Sequence, residues 1–543
     1  MDLIIEANQT KTVPREPCDF ILVSGEPYAD HPLSGIGVIA RVLASQGWRV
    51  GVIGRPDWRR PEEFERLGRP RLAFGVTSGS MDSLLRNYTP LKRPRARDPH
   101  SPYYSGIPDR AVIVYCNILR HLFPGVPLII GGVEASLRRL AHYDYWENRV
   151  RRSILLDSRA DILVYGPGEW QILEIARRLE EKKELEGIPG TCIVSRQVPP
   201  SFTLLPSFEQ VREDKEAFLE MQRKLSIRKG LAQPHGQAYV LQFPFPSYQP
   251  EFLDWIYSLP FSRVIPADFP ELKLAQFSVV THRGCVGRCS FCALALHQGD
   301  RIISRTEEAI IEEIDRLASH PQFKGIIDDL GGPTANMYGL DCPSPCPEGE
   351  CLKCARLDLS HRRLINLLRL ARNRPGIKKI LVRSGIRFDL AMASPEYLEE
   401  LINYHLSGWL KIAPEHVSPK VLRLMNKPTY KLDEFRKLFE RLNKGKKQYL
   451  KCYFMVAHPG TTRKEALKLA EYLEKWRGSG PDPVEGVQIF TPTPMTRSTC
   501  MYYTGRDPIT GEEVYVPRTY AEKKEQKRML LPKGKSREIS SWL

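Results

Sequence analysis

The stretch FSVVTHRGCVGRCSFCALALHQG, residues 277–299, decides how the second half of this chain is read. It opens on a short apolar run of strand type, and Cys285, Cys289 and Cys292 follow in the loop behind it. Thiolates are the usual ligands of iron–sulfur clusters, and a cubane normally takes four. Three ligands in one loop leave one iron without a protein ligand, and an open coordination position is what a catalytic metal site keeps for substrate or cofactor. Gly284 and Gly287 let such a loop wrap tightly. A zinc site borrowing a distant ligand is the competing reading; the spacing, order and strand-end position favour the cluster.

Strand and helix signals alternate from there. FSVVT, KGIIDDLGG, KKILVRSG, GWLKIAPEH, YLKCYFMVAHPG and EGVQIFTPTP read as strands, with helical periodicity between them. The first of these helices, SRTEEAIIEEIDRLASH, carries the capping-box pattern Ser304-x-x-Glu307. Six βα-type repeats predict a parallel sheet rolled into a partial barrel, with its site at the C-terminal ends of the strands.

A second cysteine group, Cys342, Cys346, Cys351 and Cys354, lies in a Pro- and Gly-rich loop just after Gly331-Gly332. Four thiolates within thirteen residues suit a tetrahedral metal. Zinc and an auxiliary iron–sulfur cluster both fit, and the spacing does not separate them.

The first two hundred residues carry another α/β series: DFILVSG, WRVGVIG, RLAFGV, VPLIIGG and ADILVYG as buried strands, with helices between. Residues 208–230 read as one charged amphipathic helix and FPFPSYQPEFLDW as a Pro-rich connector. The expected divisions are an α/β domain over 1–205, a connector over 206–270, the barrel over 271–510 with a Cys-rich insert at 341–355, and a basic tail over 511–543.

Length and composition agree with this. At 543 residues the chain exceeds one ordinary core, and 42% hydrophobic with 27% charged residues is a globular composition. The first residues lack the basic and apolar regions of a signal peptide, and no apolar run reaches membrane-spanning length, so a cytoplasmic protein without a membrane partner is expected. Thiols stay reduced there, and seven of the twelve cysteines fall in the two groups. The net charge of +16 is compatible with a nucleic-acid partner, through LKRPRARDPHSPYY and a tail bearing Lys523, Lys524, Lys527 and Arg528.

The triad at the end of the first strand of a six-strand βα barrel resembles the radical S-adenosylmethionine (SAM) superfamily. DLGGPTANMYG, KIAPEHVSPKVLRLMNKP, YFMVAHPGTT and GEPYADHPLSG further resemble the YgiQ-type proteins within it. The resemblance implies that the three cysteines hold a [4Fe–4S] cluster and that the methionine moiety of SAM chelates the open iron. It implies an external electron donor of flavodoxin or ferredoxin type and a 5′-deoxyadenosyl radical that abstracts a substrate hydrogen. Phe291 matches the position whose backbone contacts adenine. Gly331 and Gly332 match the start of the Gly-Gly-Glu motif for the methionine amino group; Pro333 replaces its Glu, leaving backbone carbonyls or Asp328 and Asp329 for that contact. Arg383, Ser384, Glu415 and His416 stand at levels where ribose and carboxylate contacts are expected.

An α/β domain ahead of such a barrel resembles the cobalamin-binding class. The lower-ligand pattern Asp-x-His-x-x-Gly is altered, because Asp30 and His31 are adjacent, and Glu134 stands where related proteins carry His. A cobalamin-binding-like fold with a lost ligand is expected, with His31 as a loop hydrogen-bonder. Three functions remain open: a radical SAM enzyme acting on an unidentified substrate such as RNA or protein, a cobalamin-dependent methyltransferase, and a non-catalytic, metal-stabilised nucleic-acid-binding protein.

Overall fold

The computed structural model describes residues 4–7, 13–95, 106–246, 248–342, 351–429, 431–478 and 481–531. They divide into two compact units, Met1–Ser247 with Leu259–Gln276, and Tyr248–Ser258 with Phe277–Leu543.

The strands of the first unit are β1 (Ile4–Glu6), β2 (Phe20–Ser24), β3 (Val50–Gly54), β4 (Ala73–Thr77), β5 (Leu128–Ile130), β6 (His142–Asp144), β7 (Arg149–Arg151), β8 (Ile162–Val164), β9 (Thr191–Ser195), β10 (Thr203–Leu204), β11 (Leu231–His235) and β12 (Ala238–Gln242). All but the β6–β7 hairpin join one ten-stranded sheet in the order β1-β3-β2-β4-β5-β8-β9-β12-β11-β10. From β1 to β8 the pairs are parallel; β8–β9, β9–β12 and β12–β11 are antiparallel. All five residues of β2 are buried, as expected of a central strand covered on both faces. Where order reverses, β2 sits between β3 and β4, a topological switch point whose crevice lies beyond the strands' C-terminal ends.

Two expectations are corrected here. Residues 206–270 are not only a connector, because β12 pairs with β9 and β11 with β12, extending the first sheet. The helix expected over 208–230 is two helices, Phe208–Glu213 and Lys215–Lys224. Asp214 breaks it: its backbone is extended at φ −119° and ψ 123°, and its carboxylate accepts the Glu216 N–H at 2.9 Å as the second helix's cap.

The second unit holds β13 (Val279–Val280), β14 (His282–Arg283), β15 (Ile303–Ser304), β16 (Ile326–Ile327), β17 (Leu330–Gly331), β18 (Lys379–Ile380), β19 (Trp409–Glu415), β20 (Tyr449–Val456) and β21 (Val484–Ile489). β13 pairs in parallel with β17, β16 with β18, β19 with β20 and β20 with β21; an isolated parallel bridge joins Ile386 to Ile412. Six parallel segments therefore follow one another in sequence order, as the βα repeats require. The first helix of the series, Glu307–Ala318, is capped by Thr306, whose hydroxyl accepts from Ala309 N. Ser304, expected as the cap, lies in β15 instead, and its hydroxyl accepts the Gly339 N–H at 2.9 Å.

The stretch expected as a basic tail carries the helix Tyr520–Met529. Lys523 in it is fully buried and donates to the Tyr502 hydroxyl at 3.0 Å, so it serves the fold rather than a polyanion. No helix among the described residues is long and apolar enough to cross a membrane.

Burial holds two imidazoles of the first unit uncharged. His31 and His142 are both lowered from 6.5 to about 3, chiefly by desolvation. Below about pH 6.5 the unfolded chain takes up protons that the fold refuses, so stability is full above that value and is lost as pH falls toward 3. The thermal unfolding midpoint of the first unit should fall steadily from about pH 7 to about pH 4.5, and less steeply in His31→Gln; a flat profile would contradict this assignment.

Candidate functional site

β14 and β15 pair antiparallel, His282 with Ser304 and Arg283 with Ile303, and so tie off residues 284–302 as a loop at the end of the first parallel segment. At its neck Gly284 has φ +86°, and a β-carbon there would stand 1.7 Å from the Arg301 carbonyl oxygen. Cys285 N donates to Gly299 O at 3.1 Å across the same neck. The far side is strapped down by Asn426, whose amide donates to Arg288 O at 3.0 Å and Gly287 O at 3.4 Å, and by Ser290 N donating to Met425 O.

Within this loop two of the three thiols converge on Gly287. A β-carbon at Gly287 would lie 3.4 Å from Cys285 Sγ, 3.8 Å from Cys289 Sγ and 2.9 Å from Arg387 Nη1. Arg387 donates to Cys289 Sγ at 3.8 Å, Thr334 Oγ1 lies 3.9 Å from Cys285 Sγ, and Leu294 N donates to Cys292 Sγ at 3.5 Å. Each sulfur thus has a donor in reach. Burial raises the Cys285 thiol, opposed by the Gly287 N–H and then by the Thr334 and Arg387 side chains; it pushes Cys292 up to about 12, with Cys289 adding to the rise. The donor set fits an iron–sulfur cluster: three thiols without disulfides, a side-chain-free floor at Gly287 and N–H groups facing sulfur. Among the described residues no three His, Cys, Asp or Glu side chains surround one point as a single ion needs, but thiols that each take a different iron need not do so.

The other expected residues fall into three groups. Gly331 packs against Ala335 and Ser384, with the Ser384 β-carbon 3.6 Å from where its own would be, while Gly332 lies flat on the His282 ring. Arg383 N and Ser384 N donate to Asp329 Oδ1 at 2.7 and 3.1 Å, and the Ser384 hydroxyl donates to Oδ2. Asp328 Oδ2 accepts from Phe277 N at 2.9 Å. Both aspartates therefore pin neighbouring strands together.

Phe291 and Glu415 meet through Lys427. The Lys427 ammonium lies 6.0 Å from the Phe291 ring centre and 3.8 Å from Glu415 Oε1, and it donates to Ala413 O at 2.9 Å. Glu415 has φ +68° beside a register shift in β19, and burial raises its carboxyl against the pull of Lys427. His416 is 1% exposed; Nδ1 accepts from Ser418 N, and Nε2 has no hydrogen-bond partner among the described residues. Phe291 also stands edge-on to His458, at 6.2 Å between centres.

Cys346 lies outside the described residues. Cys342 is exposed, whereas Cys351 and Cys354 are half-buried, and Cys351 packs with Leu352 against the apolar cluster containing Cys285, Val286, Met337 and Leu340. Cys351 thus shares an apolar neighbourhood with Cys285. Arg387 and Lys427 are the residues that sequence reasoning missed; both come from segments far along the chain, and Lys427 was passed over although its phrase NKP closes one of the stretches that carry the family resemblance.

In the first unit His31 is fully buried, with Nε2 donating to Gln276 O at 2.8 Å and Nδ1 accepting from Leu33 N at 3.1 Å. Asp30 holds Arg41 with both oxygens and accepts from Ser262 N at 2.8 Å. Glu134 accepts from Ser83 N and Val112 N. At the switch point the Glu26 carboxylate accepts from Ser80 N, Ser80 Oγ and Arg86. None of these side chains is left over to ligate a metal.

The Gly332–His282 contact yields a stability test. A β-carbon at 332 would meet the ring at 2.6 Å, so Gly332→Ala should cost about 1–3 kcal/mol by overpacking, read from denaturant unfolding of the metal-free protein.

Three family models match the chain: Radical SAM N-terminal over residues 3–281, Radical SAM superfamily over 279–473, and Domain of unknown function (DUF3362) over 485–535. A UPF0313 protein of Methanosarcina acetivorans is 43% identical over 94% of this chain and 76% of its own. UPF0313 protein MJ1155 of Methanocaldococcus jannaschii is 45% identical over 97% and 91%. Among solved structures, the radical S-adenosylmethionine methyltransferase TsrM from Kitasatospora setae, with cobalamin and [4Fe–4S] cluster bound, superimposes with a TM-score of 0.55 at 17% identity, over 96% of this chain and 82% of that one. At that identity the likeness is one of fold. The chain is therefore a member of the UPF0313, YgiQ-type family of the radical SAM superfamily.

Proposed function

We propose that this chain is a radical SAM enzyme in which Cys285, Cys289 and Cys292 hold a [4Fe–4S] cluster with SAM on its open iron. The observation that carries this is the convergence of two thiols and a guanidinium on Gly287, in a loop tied off at the end of the first parallel segment. With both groups bound, one electron from an external flavodoxin- or ferredoxin-type donor would supply reductive cleavage of SAM and a 5′-deoxyadenosyl radical for hydrogen abstraction. The chain's own part is to place and enclose. Phe291 and the Gly331-Gly332 shelf flank the loop for the nucleoside and methionine ends. Lys427, tethered to Ala413 O beside Glu415, offers a fixed cation to the ligand carboxylate. Arg383 and Ser384, tied to Asp329, serve as a rigid wall, and His416 keeps a buried imidazole nitrogen for a polar partner. The substrate is unidentified, with RNA and protein as candidates.

A second reading, methyl transfer through cobalamin, is favoured by the likeness of the whole fold to TsrM. His31 and Glu134 are engaged in hydrogen bonds of the fold, so in this reading neither serves as the cobalt ligand. The cysteines at 342, 346, 351 and 354 are proposed as a second site for zinc or an auxiliary cluster.

Anaerobically purified protein should carry iron and sulfide and, once reduced, convert SAM to 5′-deoxyadenosine. Alanine at any one of the three triad positions should abolish that product, and intact cluster without product under reductant would sink the proposal. A corrinoid spectrum in the same preparation, of the base-off type, selects methyl transfer. Metal analysis of a Cys342→Ser/Cys346→Ser double variant, expected to lose only the additional zinc or iron, assigns the second site.

A further inference from the structure

Arg387 is buried to 7% exposure and is fixed on every side. Its Nε and Nη2 donate to the two oxygens of Asp389 at 2.9 and 2.6 Å, a two-pronged pair. Its backbone is clamped by one side chain: Arg387 N donates to Asn336 Oδ1 at 2.8 Å, and Asn336 Nδ2 donates to Arg387 O at 3.0 Å. One edge of the guanidinium remains, and its Nη1 faces Cys289 Sγ at 3.8 Å. The space for it exists because residue 287 is glycine, whose β-carbon would crowd Nη1 at 2.9 Å. A guanidinium does not give up its proton in a protein, so this donor is permanent.

We infer that Arg387, through its N–H contact to the Cys289 sulfur, sets the reduction potential of the triad's cluster, with Asp389 as the opposing charge that also aims it. The inference rests on the cluster reading above. Hydrogen bonds to sulfur and local net charge are among the levers that fix such potentials. Taking up one electron adds a negative charge to the cluster. A cationic donor at a ligand sulfur stabilises the reduced form more than the oxidised form and raises the potential. The Asp389 carboxylate acts in the opposite sense. Arg387 is thus a positioning residue: it touches a ligand sulfur and is itself no ligand.

The test is an anaerobic potentiometric titration of the full chain, followed by the paramagnetic signal of the reduced cluster, with iron and sulfide counted beforehand. The triad's signal is the one missing from Cys289→Ala. Arg387→Gln removes the cationic donor, so its cluster should be at least tenfold harder to reduce at a fixed potential, a shift of about 59 mV downward for one electron. Asp389→Asn should shift the potential upward, and Arg387→Lys, which keeps the charge without the fork, should fall between Arg387→Gln and the native chain. A merely structural ion pair would change stability and iron retention without ordering the potentials this way. Full cluster content with unchanged potentials in Arg387→Gln and Asp389→Asn overturns the inference alone. If Arg387→Gln loses its iron, opposite shifts in Asp389→Asn and Arg387→Lys support the inference and their absence overturns it. Folded native protein that assembles no cluster on the triad overturns both this inference and the function it rests on.

Discussion

At the neck of the cysteine loop the chain passes so close to itself that a β-carbon on Gly284 would stand 1.7 Å from the Arg301 carbonyl, and the rest of the site is arranged around that crossing. The crossing needs φ +86°, a conformation glycine adopts without penalty. It lets β14 and β15 pair on one side and Cys285 N reach Gly299 O on the other. The loop is therefore shaped by backbone bonds before any metal is considered, and the thiols are presented rather than left to be gathered. Arg305, next after β15, continues the tie: its backbone N–H donates to Thr281 O and its buried guanidinium to Val280 O and Glu313.

A second layer holds the neighbouring strands in register. Asp328 and Asp329 are consecutive, yet one accepts from the first parallel segment at Phe277 and the other from the third at Arg383 and Ser384. Hydrogen bonds to charged groups contribute about 1.5–3 kcal/mol each, so this pair is a strong clasp for three strands that share only two-residue pairings. The shelf of Gly331 and Gly332 lies directly beyond it and takes its rigidity from it.

What the sequence made legible was local. The triad was readable because three thiols, two glycines and a strand all fall within 277–299. The central strands β2, β3, β4, β5 and β8 were readable as short apolar runs, β2 being buried at all five positions. Arg387 and Lys427 were not readable, since their partners lie about a hundred or more positions away in the chain and only the fold brings them to Cys289 and Phe291. Asp214 broke a helix that its neighbours' periodicity supported, because its side chain found a cap to make. Lys523 looked like a solvated charge, and only packing against Tyr502 shows that its ammonium is spent inside. His31 and Glu134 hinted at an altered ligand pattern, and their hydrogen bonds supply the reason: both are committed to the fold.

On one side the ten-stranded sheet ends in the two-residue strand Thr203–Leu204. A sheet of this width would offer long rows of unpaired amides and carbonyls if its margins were as long as its middle, and such rows template pairing with another chain. A margin this brief gives an approaching copy almost nothing to add to. On that side the sheet can stay broad without growing from molecule to molecule.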